Sequence, residues 1–179
     1  FPIEYFIHYQ PEDISWHARN ILRYTHTDKP LILFSQTPNV GTELLVYYQS
    51  NSPKFFGNLV KTMAIKQLNV FSAQIFLTHN FHALCTIMFQ NKKGLPIDHD
   101  SLNGLRKAIL SGLDDKSQSL ILSNSGRKIF DLPTTISFLD SGSEKQTKLE
   151  ISTLDRQGLL AKIGITLGNL GCLISAARI

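Results

Sequence analysis

The chain has 179 residues and a mass of 20.1 kDa, enough for one large domain or two small ones with a buried core. With 42% hydrophobic and 18% charged residues and a mean hydropathy of −0.03, it is not a wholly disordered chain. No apolar run approaches the roughly 20 residues of a membrane span. The net charge of +4, without a long run of like charges, permits nucleic acid binding but does not demand it.

The opening FPIEYF has no initiator Met and no signal-like segment, and the closing ISAARI reads as mid-strand. Both ends point to an excerpt of a longer protein. Cys85 and Cys172 lie among apolar residues outside any C-x-x-C pair. They read as reduced core thiols of a cytoplasmic protein.

In chain order, PEDISWHARNILRY (11–24) predicts a helix. Pro11 suits its first position, and Glu12 and Asp13 suit the positive end of its dipole. It is expected to close a preceding domain, with Trp16 and His17 packing against that domain. PLILFS (30–35) predicts a strand, Pro38–Gly41 a turn and TELLVYYQ (42–49) a second strand. Asn51-Ser52-Pro53 is a cap-and-proline start for a helix over about 53–66, with Phe55, Phe56, Leu59 and Met63 on its inner face. NVFSAQIFLT (69–78) and ALCTIMFQ (83–90) read as strands around a turn at 79–82. Leu102, Leu105, Ile109 and Leu113 define another amphipathic helix, capped by Asp98 or Asp100. The polar stretch 114–131 carries no assignment, and TTISFLD (134–140) is a strand.

Residues 42–140 therefore read β-α-β-β-α-β, the ferredoxin-like order, an α+β sandwich with helices on an antiparallel sheet. The pattern then restarts: TKLEISTLD (147–155) as strand, Gly158–Leu170 as helix, Gly171 as stop and CLISAARI as strand. The two β-α-β stretches align without a gap at an offset of 104 residues, so that Asn51 falls on Asp155, Leu59 on Ile163 and Ile75 on Ile179. That period is too long for a solenoid and marks a duplicated domain whose second copy is half present.

Several motifs lead nowhere. His99-Asp100 sits at a helix start, where capping explains it better than a metal site. His79 and His82 lie on a hairpin tip without further zinc ligands. Gly57 and Gly164 are helix-interior glycines, not a phosphate loop. No nucleophile–base set is present, so no catalytic residue is assigned.

The loop Asp155-Arg156-Gln157-Gly158-Leu159-Leu160, followed by Ala177-Arg178-Ile179, resembles the D-R-P-G-L-L/F and A-x-I marks of ACT domains, small βαββαβ amino-acid-binding modules. The first copy has Asn51-Ser52-Pro53-Lys54-Phe55-Phe56 and Ala73-Gln74-Ile75 at the same places. The flanks EYF, PEDISWHARNIL, TELLVYY and TTISFLDSGSEKQTKLEISTLDRQGLL are similar to the C-terminal tandem-ACT region of the bifunctional uridylyltransferase/uridylyl-removing enzymes of bacterial nitrogen control. The resemblance implies three parts: a linker helix from an HD-like domain over 1–29, a first ACT domain with an extra N-terminal strand over 30–140, and the start of a second over 141–179. It implies a glutamine-sensing role for this stretch and an enzymatic parent acting on the PII signalling protein. It implies no cofactor here, with Mg2+ in catalytic domains outside the stretch. ACT–ACT homodimers are expected as well, or further chain beyond Ile179, because a half copy exposes a sheet edge.

Where this sequence departs from the ACT pattern, Asn51 replaces Asp, Lys54 replaces Gly and Gln157 replaces Pro. A free amino acid is a zwitterion. The start of the helix offers N–H groups to its carboxylate, and Asp155 offers a countercharge to its ammonium, where Asn51 has only a neutral amide oxygen. Gly158 permits close backbone approach. The ligand-binding candidates are Asn51, Ser52, Pro53, Lys54, Phe55 and Asn69 in the first copy and Asp155, Arg156, Gln157, Gly158 and Leu159 in the second. For Asn51 and Asp155 the competing role is helix capping, for Lys54 a solvated side chain, for Asn69 a satisfied strand edge. A stand-alone double-ACT regulator is the second reading. RNA binding by the same topology is the third, but the RNP1 pattern is absent. Neither nucleic acid nor membrane is an expected partner.

Overall fold

The computed structural model of the chain describes residues 1–24, 29–50, 52–114, 133–142 and 146–179. A short helix that periodicity did not announce, α1 (Ile3–His8), precedes α2 (Pro11–Tyr24). Then follow β1 (Leu31–Thr37), β2 (Gly41–Gln49), α3 (Phe55–Ile65), β3 (Asn69–Leu77), β4 (His82–Gln90) and α4 (His99–Leu113). The remainder comprises β5 (Thr135–Leu139), β6 (Lys148–Ser152), α5 (Leu159–Asn169) and β7 (Ala176–Arg178). The fold is α+β with an antiparallel sheet, in keeping with the ferredoxin-like reading.

The main sheet has the order β1-β2-β4-β3-β7 and is antiparallel at every pairing. Both of its faces are covered, which explains why TELLVYY reads as a nearly continuous apolar run. On one face Leu44, Val46, Ile75, Cys85 and Ile87 pack with Phe56, Leu59 and Met63 of α3 and Ile109 of α4. On the other, Leu45, Phe76 and Leu84 pack with Tyr5 of α1 and Ile21 of α2. α4 starts as its sequence suggests, with Asp98 Oδ1 accepting from Ser101 N at 2.9 Å.

The N-terminal helices therefore lie on this sheet, and Trp16 and His17 do not wait for a preceding domain. Trp16 packs at the edge of that cluster. His17 is buried and shares a 2.9 Å hydrogen bond with the Tyr5 hydroxyl. The Tyr9 hydroxyl meets Thr86 Oγ1 of β4 at 2.6 Å. The rings of Tyr5 and Tyr9 stand 5.6 and 5.8 Å from that of Phe76. Burial raises the Tyr5 hydroxyl to about 12 and lowers the His17 imidazole, with Asp13 pulling His17 partly back.

The strand over 134–140 exists as β5, but it pairs with β6 in a separate two-stranded ladder, with Ile136 opposite Ile151 and Phe138 opposite Leu149. The outer place beside β2, where the fourth strand of a ferredoxin-like sheet would lie, is held by β1. The reason is locality. β1 reaches β2 through the three residues Pro38–Val40, with Asn39 at φ 61° and Val40 N donating to Thr37 O. A strand distant in sequence must pay a larger loop-closure cost for the same place. The last strand is also shorter than CLISAARI suggests. Cys172 is exposed, not a core thiol, because it lies in the turn that ends α5, its N–H donating to Leu167 O at 2.9 Å. Cys85 is buried, as expected.

α3 is buried from Phe55 to Ala64, its polar side included, because α5 packs there. The contact is made by backbone. A Cβ on Gly57 would lie 2.8 Å from Gly164 C and O, and one on Gly164 would lie 3.0 Å from Gly57 Cα. A Cβ on Gly168 would meet Pro53 O at 2.9 Å, so the end of α5 lies against the start of α3 and the two helices run antiparallel. β7 extends the sheet from β3, with Gln74 paired to Arg178, its own counterpart at the 104-residue offset. The two β-α-β stretches, called copies below, thus face each other about a local twofold axis through that pair.

Replacing Gly57 by Ala is expected to cost about 1–3 kcal/mol, since the new methyl meets rigid backbone. Gly104→Ala in α4, where nothing lies within 4 Å, is expected to gain up to about 1 kcal/mol. Urea unfolding of both variants checks this. For pH, the folded His17 titrates below its ordinary 6.5, so its contribution to stability is complete above that value. The contribution is lost as pH falls from there through the folded value. The urea midpoint is expected to drop between about pH 7 and pH 5, and His17→Phe to flatten that limb.

Candidate functional site

The two loops that begin α3 and α5 share a hydrogen-bond framework at the repeat offset. Phe55 N donates to Ser52 O at 3.1 Å, and Leu159 N donates to Arg156 O at 2.9 Å. Asn58 N reaches Lys54 O at 2.8 Å, and Lys162 N reaches Gly158 O at 3.0 Å. The helix ends match too, with Leu68 N on Met63 O and Cys172 N on Leu167 O. Gln67 and Gly171 hold the same left-handed position, at φ 57° and 77°.

The loops differ at one pivot. Gly158 is left-handed, at φ 78°, whereas its counterpart Lys54 is right-handed, at φ −85° and ψ −7°. A side chain in the left-handed region costs roughly 1–2 kcal/mol, so Lys54 takes the ordinary basin and the loop closes differently. These two residues are themselves the N-caps, and neither helix has a side-chain cap bond. The capping role set against ligand contact for Asp155 is therefore absent.

Each loop faces the other copy across the local twofold. The second loop, with Asp155, Arg156, Gln157 and Gly158, opens onto a cavity of about 300 Å³. Its far wall is the end of α3 and the start of β3, including Ala64, Gln67, Asn69 and Val70. The first loop, with Ser50, Ser52, Pro53 and Phe55, faces Leu173 and Ile174 across a cleft of only about 10 Å³. Leu173 and Ile174 are the counterparts of Asn69 and Val70.

The larger cavity holds charges of both signs. Asp155 and Arg156 are exposed on one wall, and Lys92 is exposed in the turn after β4. Lys92 is carried by a turn that Asn91 ties together, its Oδ1 accepting from Lys93 N at 2.8 Å and Leu95 N at 3.1 Å. Gln67, Asn69 and Gln157 add neutral amides. Such a lining suits a small molecule that carries both an anionic and a cationic group.

Of the candidates, Asn69 and Asp155–Gly158 line the large cavity, and Ser52, Pro53 and Phe55 line the small cleft. Lys54 is half-buried under Gly168, and Leu159 opens α5 without lining either space. Asn51 lies outside the described residues. Sequence reasoning missed Gln67 and Lys92. The repeat pointed near the first, because the residues flanking Asn69 face the opposite copy. Lys92 comes from a loop with no motif. Of the motifs set aside in the sequence, His82 stacks its ring on Tyr47 at 5.2 Å, and the Asp98 beside His99-Asp100 caps α4. Among the described residues no group of three His, Cys, Asp or Glu side chains is placed to hold a metal ion. Among them, too, no helix is long and apolar enough to cross a membrane.

Curated proteins match this chain along its whole length. A protein of Vibrio campbellii is 32% identical and one of Photobacterium profundum 30% identical, each over 100% of this chain and 21% of its own length. One of Vibrio cholerae is 29% identical over the same shares. All three are named bifunctional uridylyltransferase/uridylyl-removing enzyme. This chain is homologous to a segment of the bifunctional uridylyltransferase/uridylyl-removing enzymes. It spans about a fifth of the length of those relatives. No protein-family model and no solved structure matches it.

Gly158→Ala is expected to lower stability by about 1–2 kcal/mol, because its left-handed backbone penalises a Cβ. Lys54→Ala, in the right-handed basin, is expected to change it by less than about 0.5 kcal/mol. Thermal melting of the pair reads the difference.

Proposed function

We propose that this chain is the amino-acid-sensing region of a bifunctional uridylyltransferase/uridylyl-removing enzyme, and that glutamine is its ligand. The observation that carries the reading is the charged cavity between the copies. The Asp155 carboxylate would face the ligand ammonium. The backbone N–H groups at the start of α5 would face its carboxylate. The amides of Gln67, Asn69 and Gln157 suit an uncharged amide side chain, which both donates and accepts. A volume of about 300 Å³ is at the small end of ordinary ligand sites.

A ligand seated there touches both copies at once. Its binding favours the arrangement in which β7 is docked on β3, by as much as its affinity differs between docked and undocked states. The docked sheet carries α1 and α2 on its other face, through the Tyr5, Tyr9 and Phe76 rings. That packing gives the occupied site a mechanical connection to the N-terminal end of the chain. In the parent protein, catalysis on the PII signalling protein and its Mg2+ would belong to domains outside this chain. The whole would act in the cytoplasm, with pairing of ACT domains between two chains as a further contact. Nothing in this role calls for nucleic acid or a membrane.

Titration calorimetry with L-glutamine tests the proposal. Saturable heat is expected, with Asp155→Asn weakening binding about 10- to 100-fold through loss of a charge-assisted hydrogen bond. Heat from another amino acid but not from glutamine would overturn the specificity. Unchanged affinity in Asp155→Asn would overturn the assigned site.

A further inference from the structure

We propose that the two twofold-related seats are unequal: only the one beside Asp155–Gly158 takes an amino acid, with Lys92 facing its carboxylate, and the one beside Ser52–Phe55 is a packed contact. This rests on the amino-acid-sensing reading above and adds to it the stoichiometry and a residue outside the loop.

Three differences between counterpart residues create the inequality. The first is the pivot already described, left-handed at Gly158 and right-handed at Lys54, which sets the two loops on different courses into their helices. The second is the residue that faces each loop across the local axis. Gly168 lies against the first loop so closely that a Cβ would stand 2.9 Å from Pro53 O and 3.1 Å from Lys54 Cα. Its counterpart Ala64 lines the cavity of the second loop and carries the methyl that Gly168 lacks. The helix end therefore presses down on one loop and stands off the other. The third is polarity. Asn69 and Gln67 line the cavity of the second loop, whereas Leu173, the counterpart of Asn69, lines the first cleft with the rings of Phe55 and Phe56. The outcome is a space of about 300 Å³ on one side and about 10 Å³ on the other.

Lys92 completes the open seat. It comes from the turn after β4 in the first copy and lines the same cavity as the loop of the second, so the seat carries cationic side chains from both copies, Lys92 and Arg156, around one carboxylate, Asp155. An α-amino acid with a neutral side chain has one group for each sign of charge. Its carboxylate faces Lys92 and its ammonium faces Asp155, whereas a diamine would bring a second cation to a seat with one carboxylate.

The test is a binding titration of the full-length protein with L-glutamine. One ligand per chain is expected. Lys92→Ala is expected to weaken binding about tenfold and Lys92→Glu more, with Lys92→Arg close to wild type. Ser52→Ala and Leu173→Ala, on the packed seat, are expected to leave affinity unchanged. Two ligands per chain would overturn the inequality and leave amino-acid sensing standing. So would affinity that ignores Lys92→Glu but falls with Ser52→Ala. Absence of binding by glutamine and every other amino acid would instead overturn the sensing reading, and this inference with it.

Discussion

The approach of Gly57 to Gly164 is the contact on which the rest of the structure depends. Two helix backbones meet there with no side chain between them, and a methyl on Gly57 would sit 2.8 Å from the opposite carbonyl. Because α3 and α5 lie this close, β7 can extend the sheet from β3 and α3 is buried along nearly its whole length. The same closeness brings the Asp155–Gly158 loop onto Gln67, Asn69 and Val70 of the opposite copy. Larger residues at the glycines would part the helices, and the cavity between the copies would lose a wall.

The main sheet is the second element of the design. Alternate residues of β2, β3 and β4 feed two separate clusters, one under α3 and α4 and one under α1 and α2. Ile75 and Phe76 are neighbours in sequence and belong to different clusters. β3 is also the strand that pairs with β7 and begins at the cavity with Asn69. One strand therefore touches the inter-copy contact, the candidate site and the N-terminal helices. A change in how the copies dock has a short route to α1 and α2, through packed side chains that tolerate little displacement.

Much of this was legible in the sequence. Helical spacing in Phe55, Phe56, Leu59 and Met63 and in Leu102, Leu105 and Ile109 gave the helices, and the unbroken 104-residue offset set the loop before α5 on the loop before α3, whose backbone hydrogen bonds match. What could not be read was non-local. The β1–β2 hairpin is local and its turn at Pro38–Gly41 was visible, but its taking the place beside β2 at the expense of β5 depends on competing loop closures, which leave no mark on β5. His17 looked like a residue kept for another domain. Its burial against Tyr5 follows from α1 and α2 covering a sheet face that the local pattern leaves unassigned. Cys172 looked apolar in context but occupies a turn. At the site, the Asp155–Gly158 loop was visible as a motif, whereas Lys92 and Gln67 enter the cavity only through tertiary placement. The Lys54-for-Gly departure was visible as a difference, and its meaning came from the backbone, right-handed at Lys54 and left-handed at Gly158.

Amide hydrogen exchange with and without glutamine tests the central claim, that the space between the copies is the sensing site, most directly. Slower exchange is expected at Gln67–Val70 and across Arg156–Ala161, the two walls of the open seat, with Phe55–Asn58 unchanged. Slowing confined to the first loop and the start of α3, or no change on either wall at saturating ligand, would contradict it.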